Sequence, residues 1–295
     1  MPAKTIARPR VACEISAERI VAAHAPEGVA TLDAATASPL PPGALAPGLQ
    51  QANVAMRDAV VTAVRQALSV AAGRSRDVTL ITPDATARIM LLDFDALPEK
   101  PQEADAVVRF RLKKAVPFDV DHAAVSFHRQ GTGAPIRVVT AVTPRSVLDE
   151  YESVVRDAGY NPGAVLPSMI AALGVVDATV PTMVIKVETG TTTFAIVDQG
   201  QLLLYRALEN GGTVVTGESL VDDVNTSLVY FGDRYGIGVD RVLVTGVQSA
   251  QALQAAFGEG TKIRLEELVS SSLTGAVADN VSRAALAAVA GALVC

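Results

Sequence analysis

A short hairpin pattern occurs twice in this chain and limits its possible folds more than any other feature of the sequence. In each copy an apolar strand carries a glutamate near its end, a tight turn follows, and a second apolar strand returns. The copies span residues 11–22 and 183–206. Aligning Glu14 with Glu188 places Ser16 on Gly190, so that one such hairpin opens each half of the chain. The sequence therefore predicts two related halves.

The turn of the second copy has residue types that suit a phosphate group. Gly190 lets the backbone approach an anion closely, and Thr191, Thr192 and Thr193 offer hydroxyl and amide donors. Glu188, at the end of the strand, would lie beside a bound metal ion and not beside the phosphate itself. An ordinary hairpin with a polar turn explains the same residues, so this segment alone leaves both interpretations open.

Length and composition permit two domains. A chain of 295 residues is long enough to give each half its own core. Tryptophan is absent and aromatic residues make up 4% of the sequence, which predicts aliphatic cores. The net charge of −6 argues against general nucleic-acid binding, because that function needs a basic surface to neutralise phosphates.

Cysteine use and hydropathy predict a soluble, cytoplasmic protein. Cys13 and Cys295 lie at opposite ends of the chain, which indicates a reducing compartment without a structural disulfide or a zinc site. Residues 1–10 are basic and interrupted by proline, unlike a signal peptide. The longest apolar run, at positions 284–295, has twelve residues and is too short to span a bilayer.

Seven further segments point to a known family. They are LPPGALAPGL (40–49), LLDFDALP (91–98), VRFRLKKAVPFDVDHAAVSF (108–127), VETGTTTFAIVDQG (187–200), NGG (210–212), SLVYFGDRYG (227–236) and VDRVLVTG (239–246). In these segments the chain resembles the PilM family of type IV pilus assembly proteins and, more distantly, the cell-division protein FtsA. The stretch RFRLKKAVPFDVD is the most diagnostic, because other actin-like ATPases place a different insert there.

The resemblance implies an α/β architecture, the actin-like (ribonuclease H-like) ATPase fold. Two duplicated domains would flank a cleft, and a small α+β subdomain would be inserted into the first of them. The expected boundaries are 8–93 and 160–180 for the first domain, 94–159 for the insert, and 181–295 for the second domain. The second domain would include a small subdomain near 216–240.

The resemblance also implies that ATP and Mg²⁺ bind in the cleft. Glu14 and Glu188 would approach the magnesium ion through water. Phosphate contacts would come from Ser16, Ala17, Glu18 and Arg19 on one side and from Gly190, Thr191, Thr192 and Thr193 on the other. Gly246, Val247 and Gln248 would meet the adenosine.

Three positions depart from the family pattern. Ser16 replaces a glycine, Glu18 replaces a small hydroxyl residue, and Val247 replaces a second glycine. The β-carbon at position 16 restricts left-handed backbone geometry, and Glu18 adds a negative charge beside a triphosphate. Nucleotide binding is therefore expected to be weakened or lost, which would leave a scaffold that binds no nucleotide.

The partner implied by the resemblance is a short cytoplasmic N-terminal peptide of a membrane protein of the PilN type. The complex would lie peripheral to the inner membrane, could associate into a ring, and would link motor and platform proteins. The expected peptide site lies where the first domain meets the insert. Its candidate residues are Leu92, Phe94, Arg109, Phe110, Arg111 and Phe118.

Two alternatives stay open. A small-molecule kinase, or another catalytic actin-like ATPase, would need an aspartate base, and neither hairpin turn contains one. The sequence also lacks the GxSxG, P-loop and HExxH motifs, so we expect no catalytic residues and at most a slow ATPase. The cytoplasmic domain of a type II secretion L protein is the other alternative, and it predicts a membrane helix downstream.

Overall fold

The computed structural model describes residues 8–29, 31–50, 52–131, 133–247, 249–257, 263–274, 277 and 281–294. Within these residues there are two five-stranded sheets and one three-stranded sheet. We call the part of the chain around the first five-stranded sheet the first half, and the part around the second the second half. No helix in the described ranges is both long and apolar enough to cross a membrane.

The two five-stranded sheets have the same topology. The first has the order β3 (Ala34–Pro39), β2 (Arg19–His24), β1 (Val11–Ile15), β4 (Asp77–Thr82), β8 (Asn161–Pro167). The second has the order β11 (Gln201–Glu209), β10 (Thr191–Asp198), β9 (Thr182–Glu188), β12 (Arg241–Gly246), β13 (Leu265–Glu267). In both sheets the first three strands pair antiparallel and the last three pair parallel. The structure thus confirms the duplication that the repeated hairpin predicted.

Helices cover both faces of each sheet. The outer face of the first sheet packs against α1 (Arg57–Ala71) and α3 (Arg145–Asp157), and that of the second against α5 (Gly217–Tyr235) and α6 (Ala250–Phe257). The inner faces share one aliphatic core with α4 (Ser168–Ala172) and α8 (Arg283–Val294). The short helix α7 (Ser271–Thr274) precedes α8. Because α8 packs between the halves, nearly all of its side chains are buried.

The pattern of buried side chains along each segment explains why it forms a helix or a strand. In α1 the buried positions include Val60, Val64 and Leu68, which recur at helical spacing on one face. In β9 every side chain before Glu188 is buried, because the strand lies at the centre of its sheet with helices on both faces. Cys13 is likewise buried in β1, and burial raises the pKa of its thiol to about 12.

The inserted unit is a three-stranded sheet covered by one helix. Its strands have the order β5 (Arg88–Phe94), β7 (Ile136–Pro144), β6 (Ala123–Gln130), and α2 (Pro101–Leu112) packs on them. Gln130 also exchanges two hydrogen bonds with the backbone of Leu202, at 2.9 and 2.6 Å, so the insert contacts the second half as well.

The insert boundaries differ from the expected 94–159. Strand β5 belongs to the insert, because it pairs with β7 along its whole length. Helix α3 belongs to the first half, because Val147, Tyr151 and Val154 pack into its outer core. The predicted small subdomain near 216–240 is mainly the single helix α5, which packs directly on the second sheet.

The contact between α8 and α4 needs a glycine. A β-carbon at Gly291 would lie 2.0 Å from the carbonyl oxygen of Ala171, far inside van der Waals contact. The two helices can approach this closely only because position 291 has no side chain.

We expect Gly291→Ala to lower the free energy of unfolding by about 1–3 kcal/mol, because the new methyl group forces the helices apart. The matched control is Gly232→Ala in α5, where the nearest atom to the new β-carbon, the Ile237 carbonyl oxygen, is 4.0 Å away. There the higher helix propensity of alanine should raise stability by up to about 1 kcal/mol. Urea unfolding of both variants measures the difference, and equal midpoints would contradict the packing argument.

Candidate functional site

The two repeated hairpins meet across a cleft between the halves. The first turn, residues 16–18, joins β1 to β2, and the second, residues 189–190, joins β9 to β10. The hydroxyl of Thr189 donates a hydrogen bond to the Glu18 carboxylate, and Arg19 Nη2 donates to the Gly246 carbonyl oxygen at 3.3 Å. The turns are therefore in direct contact.

A buried lysine lies beneath these turns. Lys186, on β9, is only 3% exposed. Its Nζ lies 2.5 Å from Glu188 Oε1, 3.7 Å from Glu14 Oε1 and 3.8 Å from Asp84 Oδ2. Glu14 comes from β1 and Asp84 from the residues after β4, so the ion pairs join the two halves. We call these four side chains the Lys186 cluster.

The charges in the Lys186 cluster depend on one another. Burial raises the pKa of Glu14 and of Asp84, and nearby Lys186 opposes that rise. Burial alone would lower the pKa of Lys186, but Glu188, Asp84 and Glu14 together raise it above its ordinary value. The lysine is therefore an ammonium ion, held by carboxyl groups from both halves.

Both oxygens of Asp84 are engaged by further donors. The Met169 amide donates to Oδ1 at 2.7 Å, the Tyr205 hydroxyl to the same oxygen at 3.3 Å, and the Thr193 hydroxyl to Oδ2 at 3.2 Å. Burial, and then Asp84, raise the pKa of Tyr205 well above its usual value, so its hydroxyl stays a donor. Ser168 donates in the same way to Glu14.

The predicted phosphate-binding groups of the second turn already have partners within the protein. The Gly190 amide donates to the Thr213 carbonyl oxygen at 2.9 Å. The Thr192 hydroxyl lies 2.8 Å from the side-chain amide of Asn210, and Thr193 donates to Asp84. Thr191 is buried in β10 opposite Glu188. A phosphate would have to compete for each of these donors, and their role in nucleotide binding stays a prediction.

The first turn is longer than the second and is closed by a side-chain hydrogen bond. Four residues, 16–19, lie between the paired positions Ile15 and Ile20, whereas two, 189 and 190, lie between the paired positions Glu188 and Thr191. The Ser16 hydroxyl donates to the Arg19 carbonyl oxygen at 2.8 Å, which closes the turn. Ala17 and Glu18 face a neighbouring cavity.

That cavity, of about 620 Å³, lies beside both turns and under the loop at 40–47. Its charged lining residues are Glu18 and Glu209, and among the residues that the structure describes no lysine or arginine lines it. A negatively charged ligand would therefore meet repulsion there.

The residues expected to contact adenosine have structural roles that the strand pairing explains. A β-carbon at Gly246 would lie 2.1 Å from the Val187 carbonyl oxygen, so glycine is needed for β12 to pass β9. The Val247 amide donates to the same oxygen at 2.8 Å. Gln248 lies outside the described residues, and contact of these positions with adenosine stays a prediction.

The residues present do not fit a magnesium ion. Glu14 and Glu188, which the sequence assigned to the metal, both face the Lys186 ammonium group. A divalent ion bound to the same carboxylates would lie within a few ångströms of that charge and be repelled by it. Nowhere in the described ranges is a group of three or more His, Cys, Asp or Glu side chains arranged to hold a metal ion.

The predicted peptide-site residues are not gathered at the join between the first half and the insert. Leu92, Phe94 and Phe118 pack in the core of the insert itself. Arg109 pairs with Asp105 at 2.7 Å and donates to the carbonyl oxygens of Val120 and of Ala123, the first residue of β6. Phe110 is 66% exposed on α2, and Arg111 is exposed beside it.

The join is lined by other residues, which form what we call the join groove. It contains an apolar cavity of about 120 Å³. Its walls come from the edge strand β6, the edge strand β8, and helix α3. The lining residues are Thr82, Thr86, Ala124, Val125, Ser126, Ala141, Thr143, Val147, Leu148, Tyr151, Val165 and Pro167.

Sequence reasoning missed Lys186 and Asp84. A lysine between Ile185 and Val187, inside an apolar strand, was the available signal, because a buried lysine needs an acidic partner. The identity of that partner could not be inferred from the sequence, because Asp84 lies in the other half of the chain.

Comparisons with known proteins settle the fold. No family model and no curated protein matches the sequence. Among solved structures, the PilM–PilN type IV pilus biogenesis complex matches with a TM-score of 0.78 at 16% identity, over 97% of both chains. A Bacteroides thetaiotaomicron protein described as having an actin-like ATPase fold and unknown function matches with a TM-score of 0.50 at 9% identity, over 92% of this chain and 94% of that one. The chain has the actin-like ATPase fold.

This result confirms the predicted fold class. A further match is the cytoplasmic domain of EpsL, an inner-membrane component of the Vibrio cholerae type II secretion system, with a TM-score of 0.54 at 11% identity over 94% of both chains. At these identities the matches establish the actin-like fold and not the activity.

We expect Asp84→Ala to lower the free energy of unfolding by about 2–4 kcal/mol, because it leaves buried donors, among them the Met169 amide, without an acceptor. Asp84→Asn should cost less, since its amide oxygen still accepts from Met169. Asp157→Ala, which removes an exposed ion pair to Arg57, should cost no more than about 1 kcal/mol. Denaturant unfolding tests this order, and an Asp84→Ala variant as stable as Asp157→Ala would contradict it.

Proposed function

We propose that this actin-like protein is a non-catalytic scaffold of type IV pilus assembly that binds an extended peptide of a PilN-type membrane protein in the join groove. The observation that carries the proposal is the groove itself, an apolar pocket between two open strand edges. The match to a PilM–PilN complex over nearly the whole chain supports the choice of partner.

The join groove has the two features that recognition of an extended peptide requires. Strand β6 is an edge of the insert sheet and β8 is an edge of the first sheet, so each presents unpaired backbone groups with which a peptide strand can pair. The cavity of about 120 Å³, lined by Val125, Leu148 and Val165 among others, has room for an apolar side chain. Backbone pairing would supply affinity, and the pocket would supply specificity.

A catalytic role has less support from the geometry. A kinase of this fold would need a free aspartate base, but both oxygens of Asp84 accept hydrogen bonds and one of them also faces Lys186. A base of this kind must reach the proton that it removes. We therefore assign no catalytic residue to the cleft.

The same resemblance suggests further properties, which stay predictions. They are a position at the cytoplasmic face of the inner membrane, contacts with motor and platform proteins, and association into a ring. The resemblance also implies ATP and Mg²⁺ binding, which the ammonium group of Lys186 opposes. Peptide binding in the join groove depends on none of them.

Leu148→Asp places a charge in an apolar pocket, so it should weaken binding of a synthetic N-terminal PilN-type peptide from the same organism at least about tenfold. A tenfold loss corresponds to about 1.4 kcal/mol of binding free energy. Titration calorimetry measures the affinity, and binding to the wild type should show a negative heat-capacity change, as apolar burial requires.

The matched control is Phe110→Asp, which places the same charge on the exposed face of α2. It should leave the affinity unchanged, and circular dichroism should show both variants folded. If Phe110→Asp weakens binding and Leu148→Asp does not, the peptide binds at Phe110, one of the residues that the sequence predicted for the site, and not in the join groove.

A further inference from the structure

The Lys186 cluster contains the kind of side chains that hold a metal ion, but the positive charge among them belongs to a lysine of the chain itself. Carboxylates from three different segments, Glu14, Asp84 and Glu188, surround one positive charge. Hard divalent ions in proteins are held by oxygen ligands of this kind. Here the Lys186 ammonium group is within 4 Å of all three carboxylates.

The contacts of the cluster cross the cleft. Lys186 and Glu188 lie on β9 of the second half, whereas Glu14 and Asp84 belong to the first half. The charge that compensates the carboxylates of one half therefore comes from the other half. Because all four side chains are largely buried, separating the halves would expose or unpair each of these charges.

Other contacts across the cleft close it in the same way. Thr189 donates to Glu18, and Arg19 donates to the Gly246 carbonyl oxygen. Thr193 and Tyr205 of the second half donate to Asp84 of the first.

We propose that Lys186 is the resident cation of the cleft, in the place of a divalent metal ion, and that it holds the two halves together without metal or nucleotide. Mg²⁺ and Mg²⁺–ATP then have no site between the hairpins, because a divalent ion on these carboxylates would lie within a few ångströms of the ammonium charge. This inference is independent of the join groove, since no residue of the cluster lines that groove.

Replacing Lys186 with an uncharged side chain tests this role of its ammonium group. Removing the ammonium group while keeping the length of the side chain should let the carboxylates draw together on a divalent ion, an arrangement that they do not have around Lys186. In Lys186→Met the carboxyl groups of Glu14, Asp84 and Glu188 lose their cation, and at neutral pH and above a hard ion competes with protons to neutralise them.

The test compares metal binding by the wild type and Lys186→Met, with Mn²⁺ as the probe. Titration calorimetry and the electron paramagnetic resonance signal of free Mn²⁺ report binding, and thermal unfolding reports its effect on stability. We expect Mn²⁺ to bind Lys186→Met at least tenfold more tightly than the wild type. Mn²⁺ should raise the melting temperature of the variant and leave that of the wild type unchanged, and Mg²⁺–ATP should not bind the wild type.

Two further variants keep the test decisive. Lys100→Met removes an exposed lysine paired with Glu103 and should leave metal binding and melting temperature as in the wild type. If Lys186→Met does not fold, the double variant Lys186→Met/Glu188→Gln is used, because it removes one negative charge together with the positive charge. This double variant, which keeps Glu14 and Asp84, should still bind Mn²⁺ more tightly than the wild type does. Binding of Mg²⁺–ATP to the wild type, or no gain of Mn²⁺ binding in the folded variant, would overturn the proposal.

Discussion

One buried set of charges, the ion pairs of Lys186 with Glu14, Asp84 and Glu188, joins the two halves at the cleft, beside the aliphatic core that they share. Burying an ammonium ion is costly unless its partners are close and their remaining oxygens are hydrogen-bonded. Here Ser168, Met169, Thr193 and Tyr205 supply those hydrogen bonds. A displacement of either half would break several of these contacts at once, so the cluster fixes how the halves meet.

The duplicated topology brings these charges together. In each sheet the hairpin strand that leads into the turn, β1 or β9, lies at the centre, next to a parallel strand. The ends of the central strands meet at the cleft because α4 and α8 pack between the sheets and align them. Gly291 lets α8 approach α4, and Gly246 lets β12 pass β9. Glycines at the α8–α4 contact and at the β12–β9 contact thus permit the packing that places the Lys186 cluster between the halves.

The two halves share one sheet topology but differ in their inserted segments and in the side chains of equivalent strands. The first half carries the insert, whose edge strand β6 forms one wall of the join groove. The second half carries Lys186, for which the equivalent strand β1 has no counterpart, since β1 contains no basic residue. Shared topology therefore says little about function, which depends on the side chains that each half places at its surfaces.

The sequence by itself determined the duplicated hairpins, the aliphatic cores and the presence of an inserted unit, because apolar periodicity and turn residues act locally along the chain. It also supplied the resemblance that led to the actin-like fold. Only the tertiary structure decided that β5 joins the insert and α3 the first half, since strand pairing and helix packing are non-local. The partners of Lys186 were equally beyond the sequence: Glu14 and Asp84 lie far from it along the chain, and only the packing of the two sheets brings their carboxylates within 4 Å of its ammonium group.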